Sequence, residues 1–128
     1  MTPESLVKSQ VNASLGNLLL SGDVFYFQRV NSGKIRTDHG TWVQMAEKGH
    51  FDFVALFQDK HRNLVKAFIE CKRSDKLAKY DPDQIKFMNK YSGKHPNMMF
   101  WLVQSGDEVK KLVLANCFNR VNDIIFTP

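Results

Sequence analysis

Long apolar runs are missing from this chain. None of its 128 residues belongs to a hydrophobic stretch near the roughly 18–20 residues of a membrane span, so no spanning helix is expected. The start, Met1-Thr2-Pro3-Glu4, lacks the basic residues and apolar core of a secretory signal, and a cytoplasmic location is expected. Cysteine is scarce: Cys71 and Cys117 have no metal-ligand spacing and read as reduced thiols. His39, His50, His61 and His95 are scattered, which argues against a zinc site; His50, close ahead of Asp52, is the one placed to stand at a site mouth. Ser32-Gly33-Lys34 and Ser92-Gly93-Lys94 resemble phosphate loops only superficially. The full Gly-x-x-x-x-Gly-Lys-Ser/Thr pattern is absent, so both read as turns. There is no internal repeat, linker or low-complexity segment.

What is present suits one domain with a real core. Hydrophobic residues make up 43 % of the chain and include ten phenylalanines, which excludes a disordered polypeptide. The formal net charge is +5, and it is concentrated: residues 60–94 hold ten Lys/Arg against four Asp/Glu. Such a surface suits a polyanionic partner, or simply a solvated basic face.

Element by element, Thr2 as N-cap and Pro3 in the first turn predict a helix from Pro3 to about Leu20, with Val7, Val11, Leu15, Leu18 and Leu19 at helical spacing and Ser21-Gly22 as the stop. Gly16, unfavourable inside a helix, is expected to mark close packing on the sheet. Val24 to Val30 reads as a strand and Asn31-Ser32-Gly33 as a turn. Residues 34–48 read as an irregular loop anchored by Trp42 and Val43. Phe51 to Phe57 and Leu64 to Lys72 read as strands joined by a polar turn. A charged connector, Ser74 to Lys79, leads to a second helix beginning at Asp81-Pro82-Asp83. Its apolar positions are Ile85, Phe87, Met88 and Tyr91, and Gly93 ends it. Met98 to Val103 is a continuous apolar run expected to be a buried strand. Gly106 to Ala115 reads as a third helix, and Ile124-Ile125-Phe126 as a possible edge strand. The order α-β-β-β-α-β-α implies an α/β fold, a small mixed sheet with a helix on each face.

The charges inside the strands are the informative departure. Side chains alternate faces along a strand, so Val65, Ala67, Ile69 and Cys71 share an apolar face, while Glu70 and Lys72 project together from the other, about 7 Å apart. Antiparallel pairing through the short turn brings Asp52 toward Glu70. Buried carboxylates left unpaired cost several kcal/mol, of order, so this pair needs compensation. A hard divalent cation held by Asp52, Glu70 and a backbone carbonyl such as that of Cys71 is the simplest. An Asp/Glu/Lys ion-pair cluster at a sheet end is the alternative. With a cation, Lys72 is placed to position an attacking water or to neutralise developing charge on a phosphate. Cys71 itself faces the apolar side and reads as core. Tyr26 and Trp42 are the better aromatic candidates for stacking on an unpaired base.

Asp52 followed by Glu70-Cys71-Lys72 at a strand end resembles the PD-(D/E)XK nuclease superfamily, and most closely its small virus-type replication-repair nuclease (VRR-NUC) domains, which are similar to Holliday-junction resolvases. Gly49-His50-Phe51-Asp52 resembles that family's Gly-x-Pro-Asp, and Ile69-Glu70-Cys71-Lys72-Arg73 its Ile-Glu-x-Lys-Arg. Asp83-Gln84 with Phe87 resembles its Gln-x-x-Phe helix start, and Arg29-Val30-Asn31-Ser32-Gly33 the segment after its first strand. Phe51 departs from the family's proline and is expected to alter only the local turn. The family often places an acidic residue of the first helix at the metal. Here Glu4 is near the helix start, while Ser9 and Gln10 hold the more central positions, leaving one metal or two open.

The resemblance implies a restriction-endonuclease-like core and a Mg2+- or Mn2+-dependent deoxyribonuclease. It makes Asp52 and Glu70 metal ligands, Lys72 catalytic and Gln84 a supporting polar residue. It further implies structured DNA, such as junctions or flaps, as substrate, in a bacterial or phage-like setting. Arg29, Arg36, Lys66, Arg73, Lys76 and Lys79 are candidate DNA contacts, with Lys86 and Lys90 further along the same basic stretch. Cutting both strands of a junction needs two sites, so a homodimer is expected. The rival reading is a nucleic-acid-binding module that keeps the fold without turnover.

Overall fold

In the computed structural model, residues 2–30, 34–36, 42–44, 51–91 and 97–118 are described, those of 34–36 and 42–44 through their backbone alone. Helix α1 spans Pro3–Ser21. Strands β1 (Tyr26–Arg29), β2 (Lys34–Arg36), β3 (Trp42–Gln44), β4 (Phe53–Gln58) and β5 (Leu64–Cys71) follow. Helix α2 (Pro82–Tyr91), strand β6 (Met98–Val103) and helix α3 (Gly106–Asn116) complete the order.

The first helix forms as its ends dictate. Thr2 Oγ1 accepts the Ser5 N–H at 3.1 Å. At the other end Gly22 adopts φ 85° and its N–H donates to the Leu19 carbonyl, a left-handed cap open to glycine. Between them Val7, Val11, Leu15 and Leu18 form the buried stripe. Leu19, expected to join it, is 41 % exposed, because it sits beyond the edge of that stripe.

Four strands form a mixed sheet in the order β1-β4-β5-β6. β1 pairs antiparallel with β4, β4 antiparallel with β5, and β5 parallel with β6 through the α2 crossover. The β4–β5 connection is fixed by Asp59, whose Oδ1 accepts the N–H groups of His61 and Asn63 at 2.9 and 2.8 Å, with Arg62 at φ 65°. Strand alternation sets the two faces. Phe53, Ala55 and Phe57 line up with Val65, Ala67, Ile69, Cys71, Trp101 and Val103 against α1 and α3. On the opposite face the Phe68 and Phe100 rings stack with centroids 5.5 Å apart. Phe87 of α2 lies 5.4 Å from Phe68, so α2 covers that side. The protein is therefore an α/β molecule, a four-stranded mixed sheet with helices on both faces.

Several expectations need correction. Residues 34–48 are not wholly irregular: β2 and β3 pair antiparallel, Ile35 opposite Val43. Each run is only three residues, built around a good strand former, and too short to show a period. β1 is shorter than expected, since Val24 bonds through its N–H to Leu18 at the helix end rather than to the sheet. β6 is not wholly buried. It stands at one end of the sheet order, and Met98, Met99, Phe100 and Leu102 are only partly covered. Ile85 of α2 is 47 % exposed, and the buried residue of that helix is Gln84. Gly16 has nothing within 4 Å of an added Cβ, whereas Gly106 does, where α3 meets α1. The turn at 31–33, Gly93 and the segment 124–126 lie outside the described residues. No helix among the described residues is long and apolar enough to cross a membrane.

Candidate active site

At one end of the sheet the β4–β5 ladder closes with Phe53 opposite Ile69. Asp52 lies just ahead of β4 rather than inside it. Its carbonyl accepts the Val30 N–H at 2.7 Å, and its Oδ2 accepts the Cys71 N–H at 2.8 Å. A side chain thus does what the next ladder rung would have done, and this holds the carboxylate against the end of β5. Phe51 explains why the approach is rigid. Its ring is fully buried, 5.7 to 5.9 Å from those of Phe68, Tyr80, Phe87 and Phe100, so it anchors the second core layer rather than altering only a turn.

Glu70 is buried at 6 % exposure on the α2 side of β5. Its carboxyl is pushed up from the usual 4.5 to about 8, first by burial and then by its hydrogen bond to, and repulsion from, Asp52. A hydrogen bond from Gln84 and the charge of Lys72 act the other way. Gln84 is oriented for this. Its Oε1 accepts the Asp81 N–H at 2.9 Å, which leaves its NH2 group to donate to Glu70. Lys72 Nζ stands 3.3 Å from Glu70 Oε2 and 3.6 Å from Asp81 Oδ1. Burial alone would lower the Lys72 pKa. The charge and hydrogen bond of Glu70, with Asp81 and Glu4 behind them, outweigh it and keep the ammonium protonated. The Tyr80 phenol is raised by burial and by Glu70. The Cys71 thiol is buried and raised well beyond its usual range, by burial and then by Asp52 and Glu70, so it is an inert core group as expected.

All four residues singled out for chemistry, Asp52, Glu70, Lys72 and Gln84, therefore meet. Sequence reasoning missed Lys8, whose Nζ is 3.4 Å from Asp52 Oδ1, and Asp81, the second partner of Lys72. It also missed Gln104, whose Nε2 donates to the carbonyls of Arg73 and Lys76, both at 2.7 Å. A signal existed beside the last: Ser105-x-x-Glu108 has the capping-box pattern, with Ser105 Oγ accepting the Glu108 N–H and Glu108 Oε2 reaching back to the Gln104 N–H at 3.2 Å rather than to that of the cap residue. Of the first-helix candidates, Ser9 and Gln10 are exposed, while the charge of Glu4 reaches Cys71, Lys72 and Arg73.

The basic candidates divide. Arg29 is exposed at the Asp52 end of β1, its guanidinium carbon 5.9 Å from the centre of the Phe53 ring. Lys76 and Lys79 are exposed in the connector between Lys72 and α2, Lys86 is exposed on α2, and Lys90 lies over the Tyr91 ring at 5.3 Å. Lys66 is a poorer choice, four residues before Glu70 and so roughly 13 Å along β5. Arg73 is too, because Asp75 binds its guanidinium through two contacts at 2.8 and 2.6 Å. The Arg36 and Trp42 side chains and His39, His50 and His95 lie outside the described residues. His61 is exposed in the β4–β5 turn, and Tyr26 is 50 % exposed with its hydroxyl on Gln28.

Among the described residues no group of three His, Cys, Asp or Glu side chains forms a metal cluster. The donor set is a carboxylate pair, and its chemistry fits a hard cation. Two acids share one buried spot, where burial and then the neighbouring Asp52 favour the protonated form of Glu70. Comparison with known proteins finds no matching family model, curated protein or solved structure.

Proposed function

We propose that this protein is a metal-dependent nuclease that hydrolyses DNA phosphodiester bonds on a PD-(D/E)XK-type, restriction-endonuclease-like core. The observation that carries the proposal is the convergence of Asp52 and Glu70 at a sheet end with the Lys72 ammonium 3.3 Å away. Mg2+ or Mn2+ would be held by Asp52, Glu70 and the Cys71 carbonyl, and when bound it supplies Lewis acidity and a low-pKa water.

The chain's own groups do the rest. Cys71 N–H fixes one oxygen of Asp52, and Gln84 orients Glu70. Glu70 must release its proton before it can serve as a ligand. Lys72 stays cationic and faces the developing charge on the phosphate. Arg29, Lys76, Lys79 and Lys86 would hold the backbone without reading sequence, which suits recognition of DNA shape at a junction or flap. One site per chain makes a two-fold dimer the natural form for paired cuts.

The second reading is a binding module without turnover. It is favoured by one observation: Lys8 and the proton on Glu70 balance the site's charge with no cation. Cleavage of labelled four-way, flap and linear DNA in Mg2+, Mn2+ and EDTA separates the two, with Lys72→Ala alongside. Metal-dependent cutting lost in Lys72→Ala is the expected result. Binding without cutting in either metal would move the module reading ahead.

A further inference from the structure

Lys8 lies on α1 one turn after Glu4, beside the buried stripe set by Val7 and Val11. Glutamate followed four residues later by lysine is the ordinary helix-surface pair. The ammonium instead leaves the helix and meets Asp52 Oδ1 at 3.4 Å, its one ion pair among the described residues. Asp52 Oδ2 is already occupied by the Cys71 N–H. That carboxylate also shares a hydrogen bond with the Glu70 carboxyl, so of its three partners Lys8 is the one that brings a positive charge, on a side chain that can swing away.

The Lys8 and Asp52 side chains are 28 % and 17 % exposed, a partly buried pair in which each charge needs the other or a substitute. The two lysines of the site also differ. Lys72 has a second anion, Asp81, to keep it in place, whereas Lys8 has Asp52 alone. A cation that takes Asp52 leaves the Lys8 ammonium without a partner, on a flexible four-carbon stem, beside a site for a polyanion.

Resting on the nuclease reading, we infer that Lys8 is a substrate ligand released by the metal: it holds Asp52 until a divalent cation binds, then turns to a non-bridging phosphate oxygen of the nucleic acid. Lys8 is thus first a competitor of the metal and then a phosphate contact. Substrate affinity and metal occupancy are coupled through this one side chain.

Two readouts test it, on the intact protein with Lys8→Met, Lys8→Gln and Lys8→Arg. In Mn2+ calorimetry, removal of the competing charge in Lys8→Met or Lys8→Gln is expected to tighten metal binding at least about fivefold, with Lys8→Arg close to wild type. The salt dependence of binding to a DNA junction is then measured in a Lys72→Ala background, so that the DNA survives. Lys8→Met should lower the salt slope by about one in Mg2+ and leave it unchanged in EDTA. Thermal melts confirm folding, and Lys8→Gln stands in if Lys8→Met melts early. Unchanged metal affinity, or a slope lowered equally in EDTA, overturns the role of Lys8 while leaving the nuclease reading intact. No metal binding by any variant or by wild type overturns both.

Discussion

At Gly106 a side chain has nowhere to go. A Cβ built there would stand 2.6 Å from the Gln10 carbonyl oxygen and 2.6 Å from Ser14 Oγ, where α3 crosses α1. The serine hydroxyl can rotate, but the Gln10 backbone is fixed inside a helix. Gly106→Ala is expected to destabilise by roughly 1–3 kcal/mol, the usual effect of overpacking. At Gly16 nothing lies within 4 Å of the same atom. Gly16→Ala therefore recovers helix propensity alone and should stabilise by roughly 0.5–1 kcal/mol. Urea unfolding of the two variants checks both signs at once. Equal effects would mean that α1 and α3 leave room for a methyl group at Gly106. Gln84 obeys a similar logic with polarity in place of volume. It is the buried residue of α2 because Glu70 and the Asp81 N–H both need its amide, and a leucine of similar size would leave both without it.

Between Lys72 and α2, at the scale of elements, the connector is held from outside. Gln104 gives both its Nε2 hydrogens to the carbonyls of Arg73 and Lys76, and Gln104 is itself fixed by Glu108 of the α3 capping box. Gln104→Ala should cost only about 1 kcal/mol of stability, since both carbonyls lie near water. It should nevertheless loosen the connector, seen as faster protease nicking within residues 73–80 and faster amide exchange there. Unchanged nicking would place the restraint elsewhere, for instance in the Arg73–Asp75 contact. The elements themselves were largely legible. α1 carries its caps and stripe, and β4 and β5 are runs of strand formers joined by a short polar turn, so antiparallel pairing could bring Asp52 toward Glu70. β2 and β3 could not be read, because three residues do not establish a period. Ile85 misled because hydrophobicity does not reveal a helix that turns a glutamine inward. Lys8 and Asp81 were illegible for a further reason: their contacts join segments distant in sequence, or depend on how a loop folds back. No local pattern encodes either.

The stability of the whole molecule should carry the signature of Glu70. Its carboxyl titrates near 8 in the folded chain and near 4.5 otherwise, so between those values the folded state holds a proton that the unfolded state releases. Proton linkage then fixes the sign: stability is highest on the acid side of this window and is lost as pH rises toward 8. Glu70→Gln supplies the reference, because the amide keeps the size and loses the proton. In EDTA the melting temperature of wild type should fall relative to Glu70→Gln as pH rises from about 5 to about 8. A divalent cation that binds only the folded chain works against that loss. It takes the place of the proton, so the Mg2+-induced rise in melting temperature should grow with pH in wild type and vanish in Glu70→Gln. Parallel wild-type and Glu70→Gln curves in EDTA would mean that Glu70 is not the proton holder. A Mg2+ effect that survives the amide would move the cation away from this carboxylate pair, and with it the centre of the proposed chemistry.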